Sequence, residues 1–153
     1  MTYAANSRCL EQLAIGDIYL HAKRRTITWA DNSLYNTLAF NPESANLDEV
    51  SGAPTLYEDR PVSKTLLFCL VCSVGEYDFL AAGMTGSVGY GDLRFTRPVF
   101  IGDTIRAESE VVDKRDSVVI PRTGIIELES RAYNQRNELV LKFRNFMGIS
   151  KRY

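Results

Sequence analysis

The sequence predicts an α+β domain in which a long antiparallel sheet wraps one buried helix. Three observations predict it. Residues 63–80 are apolar on every side of a helix, with Leu66, Leu67, Phe68, Leu70, Val71 and Val74 going all the way round, and a helix without a polar face belongs inside. Later segments change to period two: Ile105, Ala107, Ser109 and Val111 alternate with polar residues, as do Ile126, Leu128, Ser130 and Ala132, and Leu139, Leu141, Phe143, Asn145 and Met147 alternate with Val140, Lys142, Arg144 and Phe146. Such alternation marks half-buried strands. The last two strands are joined by a polar stretch at residues 134–137, short enough for a hairpin, which makes them antiparallel. One buried helix followed by a run of strands is the α+β layout.

Taken in order, residues 25–39 read as a strand end followed by a helix. Thr28 stands as N-cap with Asp31 in the capping-box position, and Leu34 and Leu38 fall on one face with Tyr35 beside them. Residues 41–61 contain Pro42, Gly52, Pro54 and Pro61 and read as an irregular connection with at most one helical turn. A loop that long in a small domain is usually functional. The apolar helix at 63–80 has Gly83 as its stop. Pro98 ends a strand because it cannot donate to a ladder, and Gly102-Asp103 is a turn dipeptide.

The totals bound the function. The chain has 153 residues, which suits one domain over 1–153, and 45% hydrophobic with 24% charged residues is an ordinary globular balance. A formal net charge of −1 gives no overall field to draw nucleic acid or an anionic membrane. The basic runs Lys23-Arg24-Arg25 and Lys114-Arg115 read as solvated faces or, less simply, as groups that meet ligand phosphates. The longest apolar run, residues 66–74, is too short to span a bilayer, and no N-terminal stretch resembles a signal peptide. With three cysteines, an odd count, the expectation is a cytoplasmic protein without a disulfide framework. Cys69-x-x-Cys72 lies inside the apolar helix and reads as buried thiols, since a zinc site wants further ligands. No Gly-rich phosphate loop and no Ser-His-Asp order stands out, and neither metal nor cofactor is expected.

The string Gly89-Tyr90-Gly91-Asp92-Leu93-Arg94-Phe95-Thr96-Arg97-Pro98-Val99-Phe100-Ile101-Gly102-Asp103-Thr104 resembles the MaoC-like hydratase/dehydratase family, whose pattern there is a strand followed by RF..PVF.GDT. Further blocks resemble its mesaconyl-CoA and itaconyl-CoA hydratase branch: Arg25-Thr26-Ile27-Thr28 with Ala30-Asp31-Asn32, then EVVDKRDS from Glu110 to Ser117, then Arg131-Ala132-Tyr133-Asn134-Gln135. The resemblance covers residues 16–152. It implies a hot-dog fold, pairing into homodimers or heterodimers by extension of the sheet, and an acyl thioester on CoA or an acyl-carrier protein as substrate. The PVF.GDT block itself reads as a β-bend that performs no chemistry.

Hydration of an enoyl thioester needs a base to activate water, an acid for the α-carbon and donors for the thioester oxygen. The resemblance implies an Asp and, five residues on, a His at the end of the first helix. Counted from Ala30-Asp31-Asn32 without gaps, these places hold Asn41 and Asn46, followed by Leu47-Asp48. A register on Asn41-Pro42 puts Ala39 and Ser44 there instead. Neither supplies the acid/base pair, because an amide does not exchange a proton near neutral pH. Asp48 and Glu43 are the carboxylates best placed to substitute, with Glu58 and Asp59 behind them. The family's oxyanion pair at the start of the central helix corresponds to Lys64-Thr65, whose backbone N–H groups serve whatever the side chains. The only histidine, His21, sits on the first strand and reads as structural or surface. Three readings stay open: an enzyme with a rebuilt site, a non-catalytic subunit pairing with an active hot-dog partner, and a cyclase or isomerase that reuses the pocket.

Overall fold

The computed structural model describes residues 9–41, 61–81 and 84–152. After a single 3-10 turn at Leu10–Gln12 come β1 (Ile18–Leu20), β2 (Arg25–Thr26), α1 (Trp29–Leu38), α2 (Lys64–Ala81), β3 (Met84–Phe95), β4 (Thr104–Asp116), β5 (Thr123–Tyr133) and β6 (Leu139–Ser150). The strands form a six-stranded sheet in the order β1-β4-β5-β6-β3, with β2 also pairing β4. Every pairing is antiparallel.

The period-two segments bury the side predicted. In β4 the residues Ile105, Ala107, Ser109 and Val111 point in, in β5 Ile126, Leu128, Ser130 and Ala132 do, and in β6 Leu141, Phe143, Asn145 and Met147 do. These faces meet α2 in two adjoining clusters. One gathers Leu66, Leu67 and Val71 with Ile105, Ala107, Ala132, Leu141 and Phe143. The other gathers Phe79 with Leu10, Leu13, Val111, Ile126, Leu128 and Met147. Glycine is needed at the bend after β3: Gly102 has φ +93, and the following Asp103 is buried and accepts from the Phe100 N–H at 3.0 Å. The β5–β6 hairpin closes on Asn137 at φ +60, with its N–H donating to Asn134 O.

One expectation about the helices needs correction. The central helix is not covered on all sides: Leu66, Leu67 and Val71 are buried, but Thr65, Cys69 and Ser73 on the opposite side are exposed. One sheet wraps a helix from one side only, so an all-round apolar composition does not by itself secure all-round burial within one chain. Cys69 is therefore an exposed thiol and Cys72 a half-buried one, where buried thiols were expected. In α1 the apolar pair faces outward, with Leu34 63% and Leu38 71% exposed. The face turned inward is Asn32 and Asn36, each 0% exposed. Amides are buried at low cost when their polar atoms are paired, and theirs are. The capping box is present as predicted: Thr28 Oγ1 accepts from the Asp31 N–H, and Asp31 Oδ2 accepts from the Thr28 N–H at 2.9 Å. The Gly83 stop and most of the 41–61 connection lie outside the described residues.

Candidate active site

The end of α1 and the start of α2 are tied together by a chain of amides. Asn41 donates from its backbone N to Asn36 O at 3.0 Å and from Nδ2 to Asn36 Oδ1 at 2.7 Å. Asn36 Nδ2 donates to Asn32 O at 2.7 Å, and Asn32 Oδ1 accepts the Ser63 backbone N–H at 2.9 Å. Ser63 is buried and immediately precedes α2. Asn41 is thus coupled, through two fully buried asparagines, to the first turn of the central helix. Asn32 and Asn36 carry no chemistry in the sequence reading. The (i, i+4) spacing of the two asparagines, on the side opposite the leucines, is the one feature of the sequence that sets them apart.

Lys64 and Thr65 lie in that first turn, both exposed. Thr65 Oγ1 is 2.9 Å from Ser63 Oγ. Backbone N–H groups of a helix's first turn have no acceptor within the helix and sit at the positive end of its dipole, so this turn can receive a carbonyl oxygen gaining negative charge. Pro61 and Val62 fix its approach, Val62 N–H donating to Val99 O at 2.7 Å. This is the structural work of the Pro98-Val99-Phe100 block. Of the remaining residues singled out, Glu43, Asn46, Asp48, Glu58 and Asp59 lie outside the described residues, so the site is described only from Asn41 and from Lys64-Thr65.

His21 belongs to a second polar cluster at the other end of α2. Its Nδ1 is 2.9 Å from Asp78 Oδ2, its Nε2 is 3.0 Å from Ser109 Oγ, and Ser109 Oγ is 2.8 Å from Ser130 Oγ. The fold therefore assembles a hydroxyl–imidazole–carboxylate chain that the sequence order did not reveal. It is not a nucleophilic triad: Ser109 is 1% exposed and its hydroxyl is spent on Ser130 and His21, so no carbonyl reaches it. Burial pulls the His21 imidazole below its ordinary range, more than the Asp78 bond raises it. A neutral imidazole donating from Nδ1 and accepting at Nε2 satisfies every member. Lys114 is likewise structural, donating to Leu13 O at 2.6 Å. Among the described residues no group of His, Cys, Asp or Glu is placed to hold a metal ion, and no helix is long and apolar enough to cross a membrane.

With this geometry in place, comparison with known proteins decides the family. Residues 11–129 match the model of the MaoC like domain. The chain belongs to the MaoC-like family. Over 146 residues this MaoC-like chain is 30% identical to mesaconyl-CoA hydratase of Cereibacter sphaeroides, covering 95% of itself and 42% of that protein. The MaoC-like chain thus spans less than half the length of this curated relative. A solved structure described as a monoamine oxidase regulatory protein from Archaeoglobus superposes with a TM-score of 0.86 at 28% identity, covering 97% of each chain. A Mycobacterium tuberculosis protein described as a double hotdog fold superposes with a TM-score of 0.76 at 21% identity, over 95% of this chain and 45% of that one. The fold of this MaoC-like domain is the hot-dog fold.

Proposed function

We propose that this protein, as a single hot-dog unit in the cytoplasm, binds an acyl thioester at the start of α2 and catalyses hydration, dehydration or a related proton transfer with a rebuilt acid/base pair. The observation that carries the reading is the amide chain from Asn41 through Asn36 and Asn32 to Ser63. It holds the candidate site segment against a helix N-terminus whose donors suit a thioester oxygen. The named activity of the Cereibacter relative, mesaconyl-CoA hydratase, supports a CoA thioester as the substrate class.

In this reading the thioester oxygen takes N–H donors of the Lys64-Thr65 turn, and the exposed Lys64 meets a carboxylate on the acyl group or a phosphate. Asn41 and Asn46 orient water or substrate. Asp48 or Glu43 moves the proton. General acid–base catalysis contributes about 10²–10⁴-fold, so a simple substrate such as crotonyl-CoA is expected to turn over slowly. Loss of the enoyl-thioester absorbance, followed with crotonyl-CoA and mesaconyl-CoA, measures this. On the better substrate Asp48→Asn or Glu43→Gln should cut kcat. Robust crotonyl-CoA turnover, unchanged in Asn41→Ala and Asn46→Ala, contradicts the assignment.

A second reading is favoured by one observation: the chain covers only 42% of the Cereibacter relative. It would then be a non-catalytic half that works with a second hot-dog unit. Thioester binding without turnover, restored to turnover by that partner, is its signature. In either reading β3, which ends the sheet and pairs with β6 alone among the described strands, is the edge through which two units join.

A further inference from the structure

The outer face of the sheet carries charges in ordered rows, and over β5 and β6 they neutralise one another. Arg144 Nε is 3.6 Å from Glu127 Oε1 and its Nη2 is 3.4 Å from Glu129 Oε2, while Arg131 Nη1 is 3.5 Å from Glu129 Oε1. Towards β3 the balance fails. Arg94 stands directly opposite Lys142 in the β3–β6 register, and Lys142 stands opposite Arg131 in the β5–β6 register. Three cations therefore follow one another across adjacent strands. Like charges in directly opposed positions destabilise a sheet. Among the described residues no carboxylate lies within ion-pair distance of Arg94 or Lys142.

A fourth cation, Arg144, lies beside them. Arg144 Nη1 is buried and has no hydrogen-bond acceptor. A buried guanidinium N–H left unpaired bears the full cost of losing water. Arg94, Lys142 and Arg144 border one cavity of about 220 Å³, lined also by Asp92, Glu129 and Phe143. Glu129 is already shared between Arg131 and Arg144. Asp92 is exposed, at a left-handed bend with φ +48 where the β3–β6 register shifts. The cavity is thus walled by cations whose charge the protein does not fully answer.

We propose that this outer-face cavity binds a small oxyanion of the phosphate or sulfate class, held by Arg94 and Lys142 beside Arg144. One such dianion screens the opposed Arg94–Lys142 pair and places negative charge beside the Arg144 guanidinium. Guanidinium donors suit the oxygens of a tetrahedral anion, and the lysine adds a point charge. The site is on the opposite face of the sheet from α2 and does not depend on the reading of the Lys64-Thr65 turn.

The test is thermal unfolding at low ionic strength with inorganic phosphate as probe, against sodium chloride at matched ionic strength. The wild type should gain Tm with phosphate along a saturating single-site curve beyond the chloride control. In the Arg94→Gln/Lys142→Gln double variant the apparent Kd should weaken about ten-fold or more. In phosphate-free buffer this variant should melt no lower than the wild type, because a repulsion has been removed, which also shows that it folds. Asp92→Asn should bind more tightly. A phosphate group could come as the free anion or as the nucleotide end of coenzyme A, and adenosine bisphosphate in a parallel arm separates them. If it exceeds phosphate on the wild type and loses that advantage in the double variant, the carrier is the source; if only free phosphate acts, the free anion is. A phosphate shift equal to that of chloride, or equal in wild type and double variant, overturns the site.

Discussion

Replacing Asn32 by Ala tests whether the buried amide face of α1, and not its leucines, holds the site. Asn32 is 0% exposed, and its Oδ1 accepts the buried Ser63 N–H at 2.9 Å. Losing that acceptor leaves a buried donor unpaired, at a cost of about 1–3 kcal/mol. Alanine is the better helix former by roughly 0.6 kcal/mol, which offsets part of it. The net expectation is a loss of about 1–2 kcal/mol, or roughly 2–8 °C in Tm for a chain of this size. Leu34→Ala is the internal control. Leu34 is 63% exposed, so its truncation should fall within about 0.5 kcal/mol. Urea unfolding followed by circular dichroism gives both values, and hydrogen exchange at the Ser63 amide should accelerate only in Asn32→Ala. If Leu34→Ala costs more than Asn32→Ala, or the Ser63 amide keeps its protection, the reasoning about α1 fails.

Other expectations follow from the same structure. Burial holds the His21 pKa below its ordinary value of 6.5, so the unfolded chain takes up the proton first. Stability from this group is therefore intact above about 6.5 and declines as the pH falls from there towards the depressed folded value; a His21→Gln variant should lack that slope in pH-dependent urea midpoints. Gly124→Ala places a Cβ 2.8 Å from Leu10 Cδ1 and closer still to Cδ2, so Leu10 must leave its place in the core, at about 1–3 kcal/mol by chemical denaturation; an unchanged midpoint would show that the N-terminal turn is not packed there. An edge as long as β3, with Val88 60% exposed, should be covered. Light scattering at micromolar concentration should report a dimer or larger, and a monomer mass would refute edge pairing.

The parts legible in the sequence are those where one local pattern fixes one outcome. Period-two alternation sets which side of β4, β5 and β6 points inward, and the Thr28/Asp31 spacing sets the start of α1. The resemblance to the MaoC-like family, read from the PVFIGDT block, supplied the fold that the comparisons establish. What was not legible depends on partners far along the chain. The burial of Asn32 and Asn36 depends on Ser63, and the chain of His21, Asp78, Ser109 and Ser130 joins the residue after β1 to α2, β4 and β5. Hydrophobicity alone misassigned the exposed side of α2, because it cannot register how much of a helix one curved sheet covers. Of the candidate site, Asn41 is found on an amide chain that reaches Ser63, a partner too far along the chain for local pattern to join, and Lys64-Thr65 lie in the first turn of α2.

The central claim is that the thioester oxygen is received by the first turn of α2, beside a segment whose acid/base pair has been replaced. The most direct measurement is a crystal structure with a non-hydrolysable acyl-CoA analogue bound. The account predicts the carbonyl oxygen, or its replacement, about 2.7–3.1 Å from a backbone N of the Lys64-Thr65 turn, with Asn41 and Asn46 near the acyl group and a carboxylate of residues 43 or 48 as the nearest proton carrier. An analogue bound away from residues 41–48 and 64–65, or a His or Asp other than these placed on the α-carbon, would contradict it.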